Sequence, residues 1–307
     1  MLLQIIVDSF LYLLGLTALF CSLLCVGAII AMWRSRGSRM FSSFYYRCCW
    51  NESWINLFTL IFFLTTMYAR FFPILYPAFY YLNRFKWWTN FAQVTKQHVL
   101  YLQIWNVLVT VGGRFCTICL PHSIITHTAE QMNTWIIFIL QTFFPTVTAI
   151  PLYCICDHVY RLKNVTVPLF LSSTDPTFGK VLNIVGYTYR YVALVLSALG
   201  YISMFCLMRK KANRNEMRVL IHGGSLLSAL LASIISMTSQ RLGIGSGHEL
   251  MQMFYFTTFL WVPFTDIVIT FWIVASLRHT ANPFKNGPRT KTSITNSKIA
   301  LAPPSRQ

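Results

Sequence analysis

Charge is scarce in this chain, and negative charge scarcer still: 11% of its 307 residues are charged, with 8 Asp and Glu against 25 Lys and Arg. A soluble two-domain protein is excluded, because soluble domains carry about 25% charged residues. No nucleophile stands with a base and an orienting group, and no His cluster has metal-ligand spacing, so neither an enzyme nor a cofactor is expected. The net charge of +17 is not gathered into one basic patch. Basic residues flank apolar runs instead, as the positive-inside rule requires, and nucleic acid is not an expected partner. The first apolar run has no basic residue ahead of it and no small-residue cleavage site behind it, so it reads as a membrane span rather than a removable signal. Of nine cysteines, Cys21, Cys25, Cys116, Cys119 and Cys206 lie in or beside apolar runs and read as buried or lipid-facing thiols. Cys48 with Cys49, and Cys154 with Cys156, look like pairs but lack a His or Asp at zinc spacing. Cys154 or Cys156 could join an outer disulfide, although the outer end of the third span offers no partner cysteine.

What is abundant is apolar length. Hydrophobic residues make up 55% of the chain and the mean hydropathy is +0.54. A helix needs about 20 apolar residues to cross about 30 Å of hydrocarbon. Seven such runs are readable, and they predict an all-α membrane protein, a seven-helix bundle over residues 1–279 followed by a disordered cytosolic tail over 280–307. The first run, Leu2 to Trp33, ends in Arg34, Arg36 and Arg39, which puts the N-terminus outside and leaves Asp8 near the outer end. The second runs from about Tyr45 to Ala69. From Arg70 to Gln97 the sequence reads as an aromatic outer loop at the interface, with Arg84, Lys86, Trp87 and Trp88 clustered. The third span ends near Pro121, and His122 to Asn133 reads as a short inner loop. Thr134 to Cys156 is the fourth span, with Pro145 and Pro151 expected to kink it. An outer loop from Asp157 to about Gly186 carries Asn164-Val165-Thr166, an acceptor for glycosylation on the side the topology already calls outer.

The fifth span, Tyr187 to Met208, ends in Arg209, Lys210 and Lys211, with Arg214 and Arg218 close behind. This is the clearest inner signature in the chain. The sixth span, Val219 to Ser239, places Gly224, Ser228, Ala232 and Ser236 on one face, a spacing suited to close packing. Met251 to Leu277 is the seventh, with Trp261, Pro263 and Asp266. Without the tail, the inner and outer Lys and Arg nearly balance. Orientation therefore rests on the residues after the first span and on the third inner loop, and it makes the C-terminus cytosolic.

Two carboxyls, Glu52 and Asp266, lie deep in spans. Each supports two readings, a polar switch shared between helices or a single hydrogen-bonded structural acid. If they meet in the bundle, a proton or a water-held cation should mediate between them. Asn51-Glu52-Ser53 also matches the glycosylation pattern but lies too deep to be modified. Arg114 is the one permanent charge at the end of the third apolar run, after Gly112 and Gly113, whose lack of side chains would let neighbouring helices approach. It could signal at the inner surface, or simply snorkel to it.

Rhodopsin-like hallmarks are mostly missing: Gly113 precedes Arg114 where an acidic residue would stand, and there is no Cys-Trp-x-Pro or Asn-Pro-x-x-Tyr. Ser43-Phe44-Tyr45 followed by Glu52, Arg114 followed by six residues and then Pro121, and the aromatic outer loop instead resemble the nematode serpentine chemoreceptors of the Srg superfamily, class gamma or a related class such as V. That resemblance implies a multi-pass plasma-membrane receptor, a sensory protein coupled to a heterotrimeric G protein, with a small-molecule or peptide ligand and a possible receptor oligomer. On it, Tyr101, Trp105, Tyr187, Tyr255 and Trp261 would line an outer ligand pocket. Tyr101 and Trp105 share one face of the third helix. Arg114, Arg209, Lys210 and Lys211 would face the G protein. A transporter or ion channel is the alternative class, disfavoured because no inverted repeat of broken helices and no chain of polar residues for a pore stand out.

Overall fold

Backbone amides in lipid have no water to bond, so apolar runs of spanning length must close their hydrogen bonds internally, as helices. The computed structural model describes residues 2–34, 43–155, 158–161, 170–173 and 176–208, together with helical positions within 224–238 and 257–270. Seven α-helices and one β-hairpin are defined among them: α1 (Leu2–Arg34), α2 (Phe44–Phe62), α3 (Tyr76–Leu82), α4 (Lys86–Cys119), α5 (Ile124–Gln131), α6 (Thr134–Ile155), β1 (His158–Arg161), β2 (Phe170–Ser173) and α7 (Pro176–Met208). Among the described residues, five spans are long and apolar enough to cross a membrane: Ser9–Arg34, Phe44–Phe71, Lys86–Cys119, Thr134–Tyr153 and Ile184–Leu207.

α4 is the axis of the bundle, packing on α2, α6 and α7. Its 34 residues reach about 50 Å, against about 30 Å of hydrocarbon. The excess lies at its N-terminal end, where Lys86 to Gln97, read from sequence as loop, is helical. Thr89, Val94 and Thr95 are buried there, so tertiary packing overrides a polar local sequence. Before it, α2 continues as a π-helical turn, Phe63–Tyr68, and a 3-10 turn, Ala69–Phe71. The ring of Tyr68 fills the space where a Cβ on Gly15 would stand, so α1 and this turn are in backbone-close contact. Leu14, Ala18, Cys21 and Cys25 of α1 join Leu60 and Phe63 and Val99 of α4 in the largest core cluster.

Other expected loops also hold structure. His122 to Asn133 contains α5, started by Ser123, whose hydroxyl accepts from the Thr126 amide at 3.2 Å. The helix that holds the fifth span begins at Pro176, within the expected outer loop, while its apolar span, Ile184–Leu207, starts near Tyr187 as expected; β1 and β2 pair antiparallel ahead of it, with His158 opposite Ser173. α6 runs as one helix through Pro145 and Pro151. Of the small-residue face expected on the sixth span, Gly224 and Ser228 are exposed, and a Cβ on Gly224 would meet nothing within 4 Å. Gly112 and Gly113 also divide: a Cβ on Gly113 would collide with the Phe44 ring, while one on Gly112 would meet nothing. Close approach therefore explains Gly113 alone. The tail beyond 279 lies outside the described residues.

Candidate functional site

Polar residues recur along one side of α2, at Cys48, Glu52, Asn56 and Thr59, each step about one helical turn. All four are buried. A second stripe on α4, Gln103, Asn106 and Thr110, faces it, and the two meet at Glu52, whose Oε1 accepts from the Thr110 hydroxyl at 2.6 Å. Beside this bond, Asn56 donates from Nδ2 to Asp266 Oδ2 on the helical stretch 260–268. Glu52, Asn56, Gln103, Asn106, Val107, Val262 and Asp266 together line a cavity with about 10 Å³ of accessible space, room for one water-sized body. The structure thus brings the two carboxyls to one chamber. A branch of the network runs to α6, where Asn51 donates to Gln141 Oε1 at 2.9 Å and Gln141 Nε2 to the Cys48 carbonyl at 3.4 Å.

Several polar atoms of the chamber are buried without a hydrogen-bond partner among the described residues: Glu52 Oε2, both amide atoms of Gln103, and Asn106 Oδ1. Each such group costs about 1–3 kcal/mol if left dry. That concentration marks the chamber as built for something other than packing.

At the C-terminal end of α4, Arg114 lies over the Tyr45 ring, with its guanidinium carbon 3.2 Å from the ring centroid. Arg47, one turn into α2, crosses to the end of α5. Its Nη1 donates to the Met132 carbonyl, its Nη2 to the Glu130 carbonyl at 2.6 Å and its Nε to the Ser43 carbonyl at 3.4 Å. A guanidinium is matched to that position, because the last carbonyls of a helix are unpaired and carry its negative end. Thr126 closes the same corner by donating to the Leu120 carbonyl at 2.8 Å and the Cys116 carbonyl at 3.0 Å.

Toward the other end, Tyr101 is fully buried and stacks on Tyr189 of α7 at 5.0 Å between centroids. Tyr189 stacks on Phe144 at 5.9 Å, and Phe144 on Trp105 at 4.9 Å. Trp105 also donates from Nε1 to the Leu140 carbonyl at 2.8 Å. Tyr101 and Trp105 therefore share one aromatic cluster between α4, α6 and α7. Tyr187 stacks on Tyr191 at 6.5 Å, and Trp261 is 43% exposed. Neither is placed in that cluster. Tyr255, Arg209, Lys210, Lys211 and Asn164 lie outside the described residues, as do the side chains of Cys154 and Cys156.

Sequence reasoning missed Asn56, Gln103, Asn106 and Gln141, whose amides read as mild interruptions of apolar runs. The signal was helical spacing, Asn56 one turn from Glu52 and Asn106 one turn from both Gln103 and Thr110. It also missed Arg190, which sits inside α7, 1% exposed. An arginine in the first turns of a span would have been the cue.

No curated protein matches the chain significantly. The family model for the serpentine type 7TM GPCR chemoreceptor Srv matches residues 12–242, well over half of the chain and reaching from the first span to the sixth. Of the classes suggested by the second- and third-helix motifs, the match is to class V. Five described spans, the polar seam between α2 and α4 and this match agree on a multi-pass membrane protein with the seven-helix architecture, and the chain belongs to the Srv family of serpentine seven-transmembrane chemoreceptors.

Proposed function

We propose that the protein is a plasma-membrane chemosensory receptor that passes a ligand-induced shift of its helices to a heterotrimeric G protein. The observation that carries this reading is Arg114 held over Tyr45 at one end of α4, in a chain of a chemoreceptor family. The N-terminus lies outside and the C-terminus in the cytosol, as the basic residues after α1 and after α7 require. Asn164, in the loop before α7, is then a glycosylation site.

A small molecule or peptide binds in the outer half of the bundle, against Tyr101 and Trp105, with Tyr187, Tyr255 and Trp261 as further lining. Aromatic stacks between three helices suit this role, since a ligand that re-seats one ring shifts two helices. Glu52 and Asp266 form the polar switch between that region and the inner end. There, Arg114 with Arg209, Lys210 and Lys211 meets the G protein. A ligand need only favour the arrangement in which Arg114 leaves Tyr45.

The test is G-protein activation in transfected cells at matched surface levels, with ligands screened by the same readout. Arg114→Ala should lose signalling and retain surface expression. Arg114→Lys should be impaired as well, because an ammonium lacks the planar fork of donors. Full signalling from Arg114→Ala would overturn the assignment and favour a transporter or accessory role.

A further inference from the structure

We propose that the aromatic site between α4 and α7 takes an organic anion, a carboxylate on an apolar or aromatic body, with Arg190 as the charge that receives it and the hydroxyls of Tyr101 and Tyr189 as further donors. The inference rests on the reading of this region as the ligand site and deepens it by naming the ligand's chemical class.

Charge and depth come first. Arg190 stands six residues, about 9 Å, inside the apolar stretch Ile184–Leu207. A guanidinium keeps its proton at any pH a protein meets, and an arginine near the end of a span ordinarily stretches its head to water. Arg190 does not, since it is 1% exposed and among the largest fully buried side chains. A permanent cation at that depth is costly to hold, and intramembrane charges of this kind mark sites of function.

The direction of the side chain follows from helix geometry. A helical side chain leans toward the N-terminus and covers the turn before its own Cα, so Arg190 lies over Gly186. A Cβ on Gly186 would stand 3.8 Å from the Tyr101 hydroxyl oxygen. Tyr189, the residue before Arg190, stacks on Tyr101 at 5.0 Å between centroids. The bare backbone at 186 therefore brings one guanidinium and two phenols, from two helices, to the same place.

The third observation is the kind of atom left over. The hydroxyls of Tyr101 and Tyr189 are both buried without a hydrogen-bond partner among the described residues. A phenol can donate through its O–H, and a guanidinium has donors alone. Donors that converge from α4 and α7 suit an oxyanion, and a carboxylate fits the guanidinium fork with both oxygens. One guanidinium balances one negative charge, which favours a carboxylate over a phosphate monoester with about −1.5 to −2. The surrounding wall is apolar: Phe144 and Trp105 continue the stack beyond Tyr189, and Leu100, Ile104 and Ala193 pack beside it. Such a wall matches an apolar body behind the acid group.

The experiment uses the full chain in lipid nanodiscs and follows thermal unfolding with hexanoate, benzoate and 3-phenylpropionate, each against its methyl ester at constant pH and ionic strength. At least one acid should raise the midpoint saturably, by about 2 °C or more, while its ester does not. Arg190→Met should abolish the response. Where that variant does not fold, Tyr101→Phe, which keeps the ring stack and removes one hydroxyl, replaces it and should weaken the apparent affinity by about tenfold. No shift with any of the three acids would overturn the proposal. So would equal shifts from acid and ester, or an undiminished response in the variant. An acid that binds in this way and leaves G-protein activation unchanged would count against the receptor reading while the anion site stands.

Discussion

The guanidinium of Arg114 lies over the ring of Tyr45, 3.2 Å from its centroid, so the C-terminal end of α4 is held on the first turn of α2. Gly113, where a rhodopsin-like chain would carry an acid, instead accommodates Phe44, the residue before Tyr45. The two contacts form one unit: removing the side chain at 113 lets α2 come close enough for its aromatic residues to cover the arginine.

A cation over an aromatic face contributes about 0.5–2 kcal/mol, the larger value when desolvated. If this contact holds the resting arrangement, Tyr45→Leu should raise ligand-independent G-protein activation by a few-fold to about tenfold. Tyr45→Phe, which keeps the ring face, should stay near the native level. Equal basal activity in the Leu and Phe variants would show that the contact does not bias the resting state.

The adjoining glycine gives a prediction about stability alone. Gly113→Val places a branched side chain in the space of the Phe44 ring and should destabilise the protein by about 1–3 kcal/mol, as overpacking does. Gly112→Ala meets open space and should be near neutral. Phe44→Ala combined with Gly113→Val should recover part of the loss, a non-additivity expected of residues in contact. Thermal unfolding in detergent of the native chain, these three variants and Phe44→Ala alone measures it.

The seven runs were legible because a bilayer imposes a length and excludes unpaired backbone, so composition alone bounds the spans. Ends were harder to read. Lys86 to Gln97 contains Lys, Gln, Asn and Thr, which argue for loop, yet Thr89, Val94 and Thr95 are buried and the segment is helical. α5 is eight residues without an apolar run, and it owes its place to Ser123 and to Arg47 from another helix. In the site, Glu52 and Asp266 stood out as costly charges in lipid. Asn56, Gln103 and Asn106 did not, because one amide in a span is unremarkable and their convergence is a tertiary fact.

Asn51 and Asn164 share an acceptor pattern and should differ in modification. Asn51 is 3% exposed and donates to Gln141, so no transferase can reach it. Asn164 follows β1 in the loop proposed to be outside. Glycosidase treatment of protein from eukaryotic cells should increase mobility of the native chain and of Asn51→Gln, and leave Asn164→Gln unchanged. A shift lost only with Asn51→Gln would reverse the assigned orientation and depth.

Arg47 carries the last prediction. Its fork spans two carbonyls at the end of α5, Glu130 and Met132, while its Nε reaches Ser43. Hydrogen bonds from a charged donor contribute about 1.5–3 kcal/mol, and those carbonyls have no further helix to bond them. Arg47→Met keeps the stem packed but releases both, so the loss should fall first on α5 rather than on the bundle. Arg47→Lys can reach one carbonyl at a time and should lose roughly half as much. Amide hydrogen exchange over residues 124–131 separates these outcomes. Protection there should fall in the order native, Lys, Met, while protection in the middle of α4 stays constant. Unchanged exchange in Arg47→Met would mean that Ser123 and Thr126 hold α5 by themselves. A loss spread evenly over α2 and α4 would mean instead that Arg47 acts on the bundle and not on the loop.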